Sequence, residues 1–155
     1  MPKKAAKRVT KKANRTPEKP PAEQPTMRSA PFRVVHFEIN TDKPERAIEF
    51  YKSVFEWTLN KWEGPMEYWT VMTGDQTLPG IDGGLQRRMA PNVGIVNIIE
   101  VPDIDATIAK IKRQGGTILG EKLTVPGVGY VIYFYDTEGN LSGLIQNFPP
   151  NQSDA

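Results

Sequence analysis

The sequence predicts an α+β domain built from two βαβββ modules, whose strands form one curled mixed sheet with the shape of a cup. The first observation behind this prediction is a repeat: an extended run, an amphipathic helix and further extended runs occur twice, offset by 60 residues. The second is that both helices carry apolar residues at helical spacing, as expected of helices that pack on a sheet. The third is length, because 155 residues are enough for one domain with a substantial core.

The first module is predicted over residues 32–88. Its opening segment, Phe32 to Asn40, is rich in β-branched and aromatic residues and predicts a strand. Asp42 and Glu45 have the spacing of a capping box, and Pro44 suits the first turn of the helix that follows. The apolar stripe predicted to pack on the sheet consists of Ala47, Phe50, Tyr51, Val54 and Phe55. Three more strands are predicted, over residues 57–62, 66–73 and 80–88.

The second module is predicted over residues 94–147 and repeats this order. Gly94 to Val101 predicts a strand, and a helix follows from Asp103 to the Gly115-Gly116 pair, where glycine favours a helix end. The last three strands are predicted over residues 117–125, 128–136 and 141–147. When the modules are aligned, Ile108 of the second helix matches Ile48 of the first, so both helices are expected to pack alike.

Residues 1–31 differ from the rest in charge. They hold nine Lys or Arg residues against two Glu, a net charge of +7, while residues 32–155 carry a net charge of −5. This proline-rich, basic composition predicts a disordered N-terminal arm, and residues 150–155 a short C-terminal tail. Such an arm is either a solvated extension or a weak, salt-dependent contact for nucleic acid or an anionic surface. No aromatic residue lies between its charges, so base stacking is not implied.

Several function classes are disfavoured by composition. The chain has no cysteine, which excludes disulfides, thiolate metal sites and cysteine nucleophiles. Its lack of a long apolar run argues against a membrane span or a secretory signal, and a cytoplasmic location is the simplest prediction. No Walker loop, nucleophile elbow or dinucleotide-binding motif occurs, and the glycine-rich segment at 80–84 lies in a strand context unsuited to cradling phosphate.

Two strings indicate a family. HFEINTDKPERAIEFYKSVFEW, residues 36–57, and YDTEGNLSGLIQ, residues 135–146, resemble the opening and the final strand of vicinal oxygen chelate proteins. This superfamily includes glyoxalase I, bleomycin-resistance proteins, fosfomycin-resistance enzymes and extradiol dioxygenases. The resemblance covers residues 32–149 and is nearest to glyoxalase-like proteins with glycine in the last strand. It implies the two-module fold and a homodimer, and for an enzyme a lactoylglutathione lyase-like or dioxygenase-type reaction.

The resemblance also implies a divalent metal, held by the first and last strands of each module. The matching positions here are His36, Gly84, Val96 and Gly143, of which only His36 carries a metal-binding side chain. A shift of one residue would offer Asn97, and Gln86 lies one pleat beyond Gly84, but neutral amides replace carboxylates poorly. We therefore predict a cup without the full metal site and without a resident cofactor, in which the two glycines leave open volume.

The cup wall is predicted from strand alternation, taking His36 as pointing inward. The same-face residues are Val34, Glu38, Gln86, Val96, Ile98, Glu100, Leu141, Gly143 and Ile145. This mostly apolar set with a few polar groups is typical of a small-molecule pocket. His36 is either a neutral, hydrogen-bonded wall residue or a ligand-binding group or general base, with Glu38 as the second catalytic candidate. Glu38 and Glu100 either face the cup or face solvent at strand ends.

Three functions follow as hypotheses. The first is a protein that binds a small organic molecule without metal, sequestering or sensing it as bleomycin-resistance proteins do. The second is an enzyme, either a lyase, isomerase or dioxygenase that recruits metal through His36, or a metal-free catalyst using His36 and a carboxylate. The third is an interaction module whose basic arm docks to a polyanion.

Overall fold

The computed structural model of the protein describes residues 32–149, so the predicted arm and tail lie outside the described residues. The elements in chain order are β1 (Arg33–Thr41), α1 (Pro44–Phe55), β2 (Thr58–Lys61), β3 (Tyr68–Met72), β4 (Gly83–Arg87), β5 (Ile95–Glu100), α2 (Ile104–Arg113), β6 (Thr117–Val125), β7 (Gly129–Tyr135) and β8 (Leu141–Asn147). No helix in this part of the chain is long and apolar enough to cross a membrane.

The eight strands form one mixed sheet in the order β2-β3-β4-β1-β5-β8-β7-β6. Each module supplies four neighbouring strands, and the modules meet where β1 pairs antiparallel with β5. Within each module the first and last strands pair in parallel, β1 with β4 and β5 with β8. The predicted α+β fold of two βαβββ modules is therefore confirmed.

The register at the module junction reproduces the sequence offset. Phe37 pairs with Asn97, 60 residues later, and the pair between Glu38 and Val96 mirrors the pair between His36 and Ile98. Farther out, Gly84 lies opposite Glu38 and Gly143 opposite Ile98. The two modules are thus related position by position, which allows their side chains to be compared directly.

Each helix packs on its own module. Pro44 stands in the first turn of α1, and the helix covers a core of Ile39, Leu59, Trp69, Val71 and Leu85. The second helix packs on Val101, Ile132 and Leu144 through Ile104, Ile108 and Ile111. The predicted stripe of α1 is only partly correct. Ala47 and Tyr51 contact the core together with Ile48, but Phe50, Val54 and Phe55 are each about half exposed. The face of the helix that meets the sheet is centred nearer to Ile48 than the prediction had it, so Phe50 and Val54 lie at the edge of the buried face.

The two helices also begin differently. Asp103 caps α2 by accepting a hydrogen bond of 2.9 Å from the backbone N–H of Ala106. The capping box predicted for α1 is wrong, because the N-cap residue is Lys43 and no side chain caps the helix. Asp42 instead accepts a hydrogen bond from Nε of Arg88 at 2.9 Å.

Candidate functional site

A cleft of about 450 Å³ lies between the two outer hairpins, β2–β3 on one side and β6–β7 on the other. Its wall residues alternate along the strands with the residues of the helix-facing cores, so the cleft occupies the opposite face of the sheet. The lining consists of Val35, His36, Glu38, Trp62, Met66, Tyr68, Thr70, Ile98, Leu123, Val125, Val128, Val131, Tyr133, Ile145 and Asn147.

A β-bulge shapes the floor where β1 enters the cleft. The pairing of β1 with β5 shifts between Val34 and His36, so Val35 is an extra residue in β1. Both Val35 and His36 line the cleft, whereas Val34 is 40% exposed and does not. The prediction that Val34 faces the cup is wrong, because the bulge interrupts the alternation on which it rested.

The polar end of the cleft is centred on Glu38, whose residue is only 7% exposed. The hydroxyl of Tyr133 donates to both carboxylate oxygens, at 3.0 and 2.9 Å. Nε2 of Gln86 donates to Oε2 at 3.2 Å. Glu38 and Gln86 come from the first module and Tyr133 from the second, so this network joins the two halves of the sheet.

Burial controls the ionisation of Glu38. Removal of the carboxyl from water raises its pKa from 4.5 to about 7, and the hydrogen bond from Tyr133 offsets part of this rise. The pKa of the Tyr133 hydroxyl is raised by its own burial and by the nearby Glu38 charge, so it stays a donor. At neutral pH the cleft therefore contains a carboxyl group whose protonated and ionised forms are both populated.

His36 has a single side-chain partner among the described residues. Its Nε2 lies 2.8 Å from the hydroxyl of Tyr68. Burial lowers the pKa of the imidazole, and the charge of Asp82 offsets this only in part, so His36 is neutral at pH 7. Burial, with the charge of Glu38, raises the pKa of Tyr68. The pair is thus a neutral imidazole and a protonated phenol.

The positions that would carry the other metal ligands are filled by neighbouring side chains. A Cβ atom on Gly84 would overlap the phenol ring of Tyr68, and one on Gly143 would lie 2.5 Å from Cδ1 of Ile98. The prediction that these glycines leave open volume is therefore wrong. Tyr68 occupies the space next to Gly84 and contacts His36 there, while Val96 is buried and apolar.

This donor set does not fit a divalent metal. His36 is one imidazole whose Nε2 is engaged by Tyr68, and the remaining superfamily positions supply no donor atom. Nowhere in residues 32–149 do three His, Asp or Glu side chains cluster so that they could hold an ion.

The predicted pocket residues fall into two groups. His36, Glu38, Ile98 and Ile145 all line the cleft. The others stand behind or outside its wall. Gln86 supports Glu38 from behind, Val96 lies opposite Glu38 on β5, and Gly143 lies beneath Ile98. Glu100 is outside the wall and accepts a hydrogen bond from Asn147, a wall residue, at 2.7 Å.

Two tyrosines in the site were not assigned roles from the sequence. Tyr133 lies opposite Gly143. The sequence could have predicted this pair, because the turn predicted at residues 137–140 fixes the register of the two strands that it joins. Tyr68 pairs with Gln86 and leans over Gly84, but ten residues separate β3 from β4, so no tight turn fixes that register. In both modules the available signal was the strand glycine itself, because a glycine in a strand allows a large side chain from the neighbouring strand to lie over it.

The comparisons with known proteins agree with this fold. The sequence model of the Glyoxalase/Bleomycin resistance protein/Dioxygenase superfamily matches residues 33–143. CFP32 of Mycobacterium bovis, assigned to the glyoxylases by name, is 30% identical over 118 residues, which are 72% of this chain but only 43% of CFP32. A glyoxylase-like domain-containing protein of Didymella fabae is 32% identical over 115 residues, 69% of this chain and 88% of that protein.

Solved structures show the same architecture. Methylmalonyl-CoA epimerase from Mycobacterium tuberculosis superposes with a TM-score of 0.57 at 17% identity, over 74% of this chain and 87% of the epimerase. At that identity the likeness concerns the fold alone. Since the superfamily's sequence model matches most of the chain, the protein belongs to the glyoxalase/bleomycin resistance/dioxygenase superfamily.

Proposed function

We propose that the protein binds a small organic molecule in the cleft and does so without the metal site of its superfamily. The observation that carries this proposal is the cleft itself, about 450 Å³ in volume and largely apolar, with a few polar groups in its lining. Small-molecule sites have this size and this mixture of apolar surface and a few fixed polar groups.

The arrangement suggests how a ligand would lie. Ile98, Val131 and Ile145 offer an aliphatic wall to a hydrocarbon or ring, with Trp62 on the first-module side. The polar group of the ligand would reach Glu38, next to the Tyr133 hydroxyl. The lining contains no Lys or Arg, so an anionic group such as a carboxylate or phosphate would find no cationic partner.

The proposal is tested by replacing a residue of the cleft wall with a larger one, which should block ligand binding. Val131→Trp adds a large side chain inside it, and Ile95→Trp is the control on an exposed position, 64% exposed and outside the lining. A set of single-ring aromatic fragments is added to each variant and to the parent, and amide chemical shifts are followed by NMR. We expect cleft resonances to shift in the parent and in Ile95→Trp but not in Val131→Trp. Equal shifts in all three would contradict the proposal.

Metal analysis tests the other half of the proposal. We expect purified protein to hold no stoichiometric divalent metal, because only His36 among the four superfamily positions is a donor. A metal bound at one equivalent and lost in His36→Ala would instead favour the alternative, a metal-dependent lyase, isomerase or dioxygenase-type enzyme.

A metal-free acid–base catalyst is the second candidate, favoured by one observation. The pKa of Glu38 lies at about 7, where a carboxyl can both take and return a proton. The test is exchange of an α-proton of small ketones and aldehydes with D₂O, followed by NMR. Catalysis lost in Glu38→Gln and kept in Glu100→Gln would support this function.

Partners are proposed on the superfamily resemblance and on composition. A homodimer is expected from the resemblance, and residues 1–31 are proposed to contact a polyanion weakly because of their charge. Size-exclusion chromatography with light scattering tests the first. Loss of heparin retention on deleting residues 1–31 tests the second.

A further inference from the structure

The charge of the cleft is unbalanced. Glu38 is the one carboxyl group in the lining of the described cleft, and that lining includes no Lys or Arg. The groups that bond its carboxylate, the Tyr133 hydroxyl and the Gln86 amide, are both neutral. Buried carboxylates are normally paired with a cation, so the ionised form of Glu38 lacks a partner that proteins usually supply.

No neighbouring strand provides that cation. The titratable groups that face Glu38 are His36 on its own strand, Tyr68 on β3 and Tyr133 on β7. Burial lowers the pKa of His36 and raises the pKa of both phenols, so all three are neutral at pH 7. The flanking strands β4, β5 and β8 contribute amide, aliphatic and glycine residues at this level.

The first-module side of the cleft also presents aromatic rings. Trp62 and Tyr68 both line it, with ring centroids 6.1 Å apart in an edge-to-face arrangement. The faces of such rings attract cations electrostatically, and Trp does so most strongly. Protein sites hold organic cations with two features, aromatic rings and a carboxylate that lacks a cationic partner. The lining of this cleft contains both.

We infer that the ligand of this cleft is an organic amine, whose ammonium group pairs with the Glu38 carboxylate while its hydrocarbon body lies between Trp62 and the aliphatic wall of the second module. This inference rests on the proposed function and names its ligand class. An ionised carboxylate offers about four acceptor sites, and the three contacts from Tyr133 and Gln86 leave acceptor capacity for an ammonium donor. Pairing would supply the missing counter-charge and hold Glu38 ionised.

The experiment compares three probes that share one ring: benzylamine, benzyl alcohol and benzoate. At pH 8 we expect benzylamine to bind about tenfold more tightly than benzyl alcohol, and benzoate more weakly than either. The preference for the amine should shrink below pH 7, because a proton on Glu38 then competes with the ammonium group. In Glu38→Gln the amine should lose its advantage over benzyl alcohol. Glu100→Gln is the control and should keep the amine preference.

The outcomes separate this inference from the proposed function. If benzyl alcohol binds in the cleft as tightly as benzylamine, or benzoate binds more tightly, the inference is wrong and the proposed function stands. If no probe shifts cleft resonances, both are wrong. Should Glu38→Gln fail to fold, NMR titration of Glu38 in the parent protein decides: saturating benzylamine should lower the pKa of that carboxyl and benzyl alcohol should not. An unchanged pKa overturns the inference.

Discussion

The two modules share a strand arrangement but differ in the side chains that they carry at matched positions in and behind the cleft wall. The strand registers make His36 equivalent to Val96, Glu38 to Ile98, Gln86 to Ile145 and Tyr68 to Val131. At each of these positions the first module has a polar side chain and the second an aliphatic one. The repeat thus explains the two-module architecture. The side-chain differences at matched positions explain why the polar groups are concentrated in the first module. At these matched positions the first half of the cup is polar and the second half is aliphatic.

Another matched pair of the cleft wall is polar in both modules. Tyr133 of the second module is equivalent to Thr70 of the first, and its hydroxyl crosses the cleft floor to Glu38 at 2.9 Å. The polar half therefore depends on the apolar half for a hydrogen bond. Variants at matched positions in the two modules should accordingly have unequal effects.

The largest expected difference concerns the ionisation of Glu38. Its pKa is about 7 in the folded protein against an ordinary 4.5, so the folded state binds the proton more tightly. The free energy of unfolding should therefore fall by about 3 kcal/mol as pH rises from 4.5 through 7. His36 acts in the opposite direction, since its lowered pKa costs stability as pH falls below 6.5.

Urea unfolding across this pH range, in the parent and two variants, isolates the Glu38 contribution. The difference in the free energy of unfolding between the parent and Glu38→Gln should change by about 3 kcal/mol over this pH range. Glu100→Gln, on the equivalent strand of the second module, should follow the parent. A Glu38→Gln profile parallel to that of the parent would show that burial does not govern this carboxyl.

The second difference concerns the two strand glycines. Gly84→Ala forces a methyl group into the rigid phenol ring of Tyr68, whereas Gly143→Ala meets the flexible end of Ile98. We expect losses in the free energy of unfolding of about 2–3 kcal/mol for the first and about 1 kcal/mol for the second. NMR should also show that Gly84→Ala breaks the contact between Tyr68 and His36. Equal losses would mean that Tyr68 is free to leave its place beside Gly84.

These glycines also show how far sequence reasoning reaches. The repeat and its strands depend on local patterns, and the strand bounds were predicted to within three residues. The filling of the space at Gly84 depends on Tyr68, a residue of another strand whose register follows a ten-residue connection. The bulge at Val35 likewise leaves no mark in a strand that is β-prone throughout. Both features depend on how residues of different strands pair with each other. The pattern of residues along a single strand does not determine that pairing, so the sequence did not predict these features.

The third difference compares the two tyrosine hydroxyls. Tyr133→Phe removes a bond to a carboxylate and should cost about 2 kcal/mol in the free energy of unfolding at pH 8, where Glu38 is ionised. Tyr68→Phe removes a bond to neutral His36 and should cost about 1 kcal/mol. Only Tyr133→Phe should raise the pKa of Glu38 further, as measured by NMR titration. The same pKa in both variants would argue that the hydroxyl of Tyr133 does not hold the carboxylate.

The smallest difference concerns the helix starts. Asp103→Ala removes the side-chain cap of α2 and should lower the free energy of unfolding by about 1 kcal/mol. Asp42→Ala, one residue before the matching N-cap position of the first module, removes only an exposed ion pair with Arg88 and should cost less than about 0.5 kcal/mol. Urea unfolding of both variants at low and high salt decides between these roles. Only the small effect of Asp42→Ala should vanish in 1 M salt, because screening weakens an ion pair more than a cap made to a backbone N–H. A salt-insensitive loss of about 1 kcal/mol in Asp42→Ala would show instead that Asp42 caps α1 in solution.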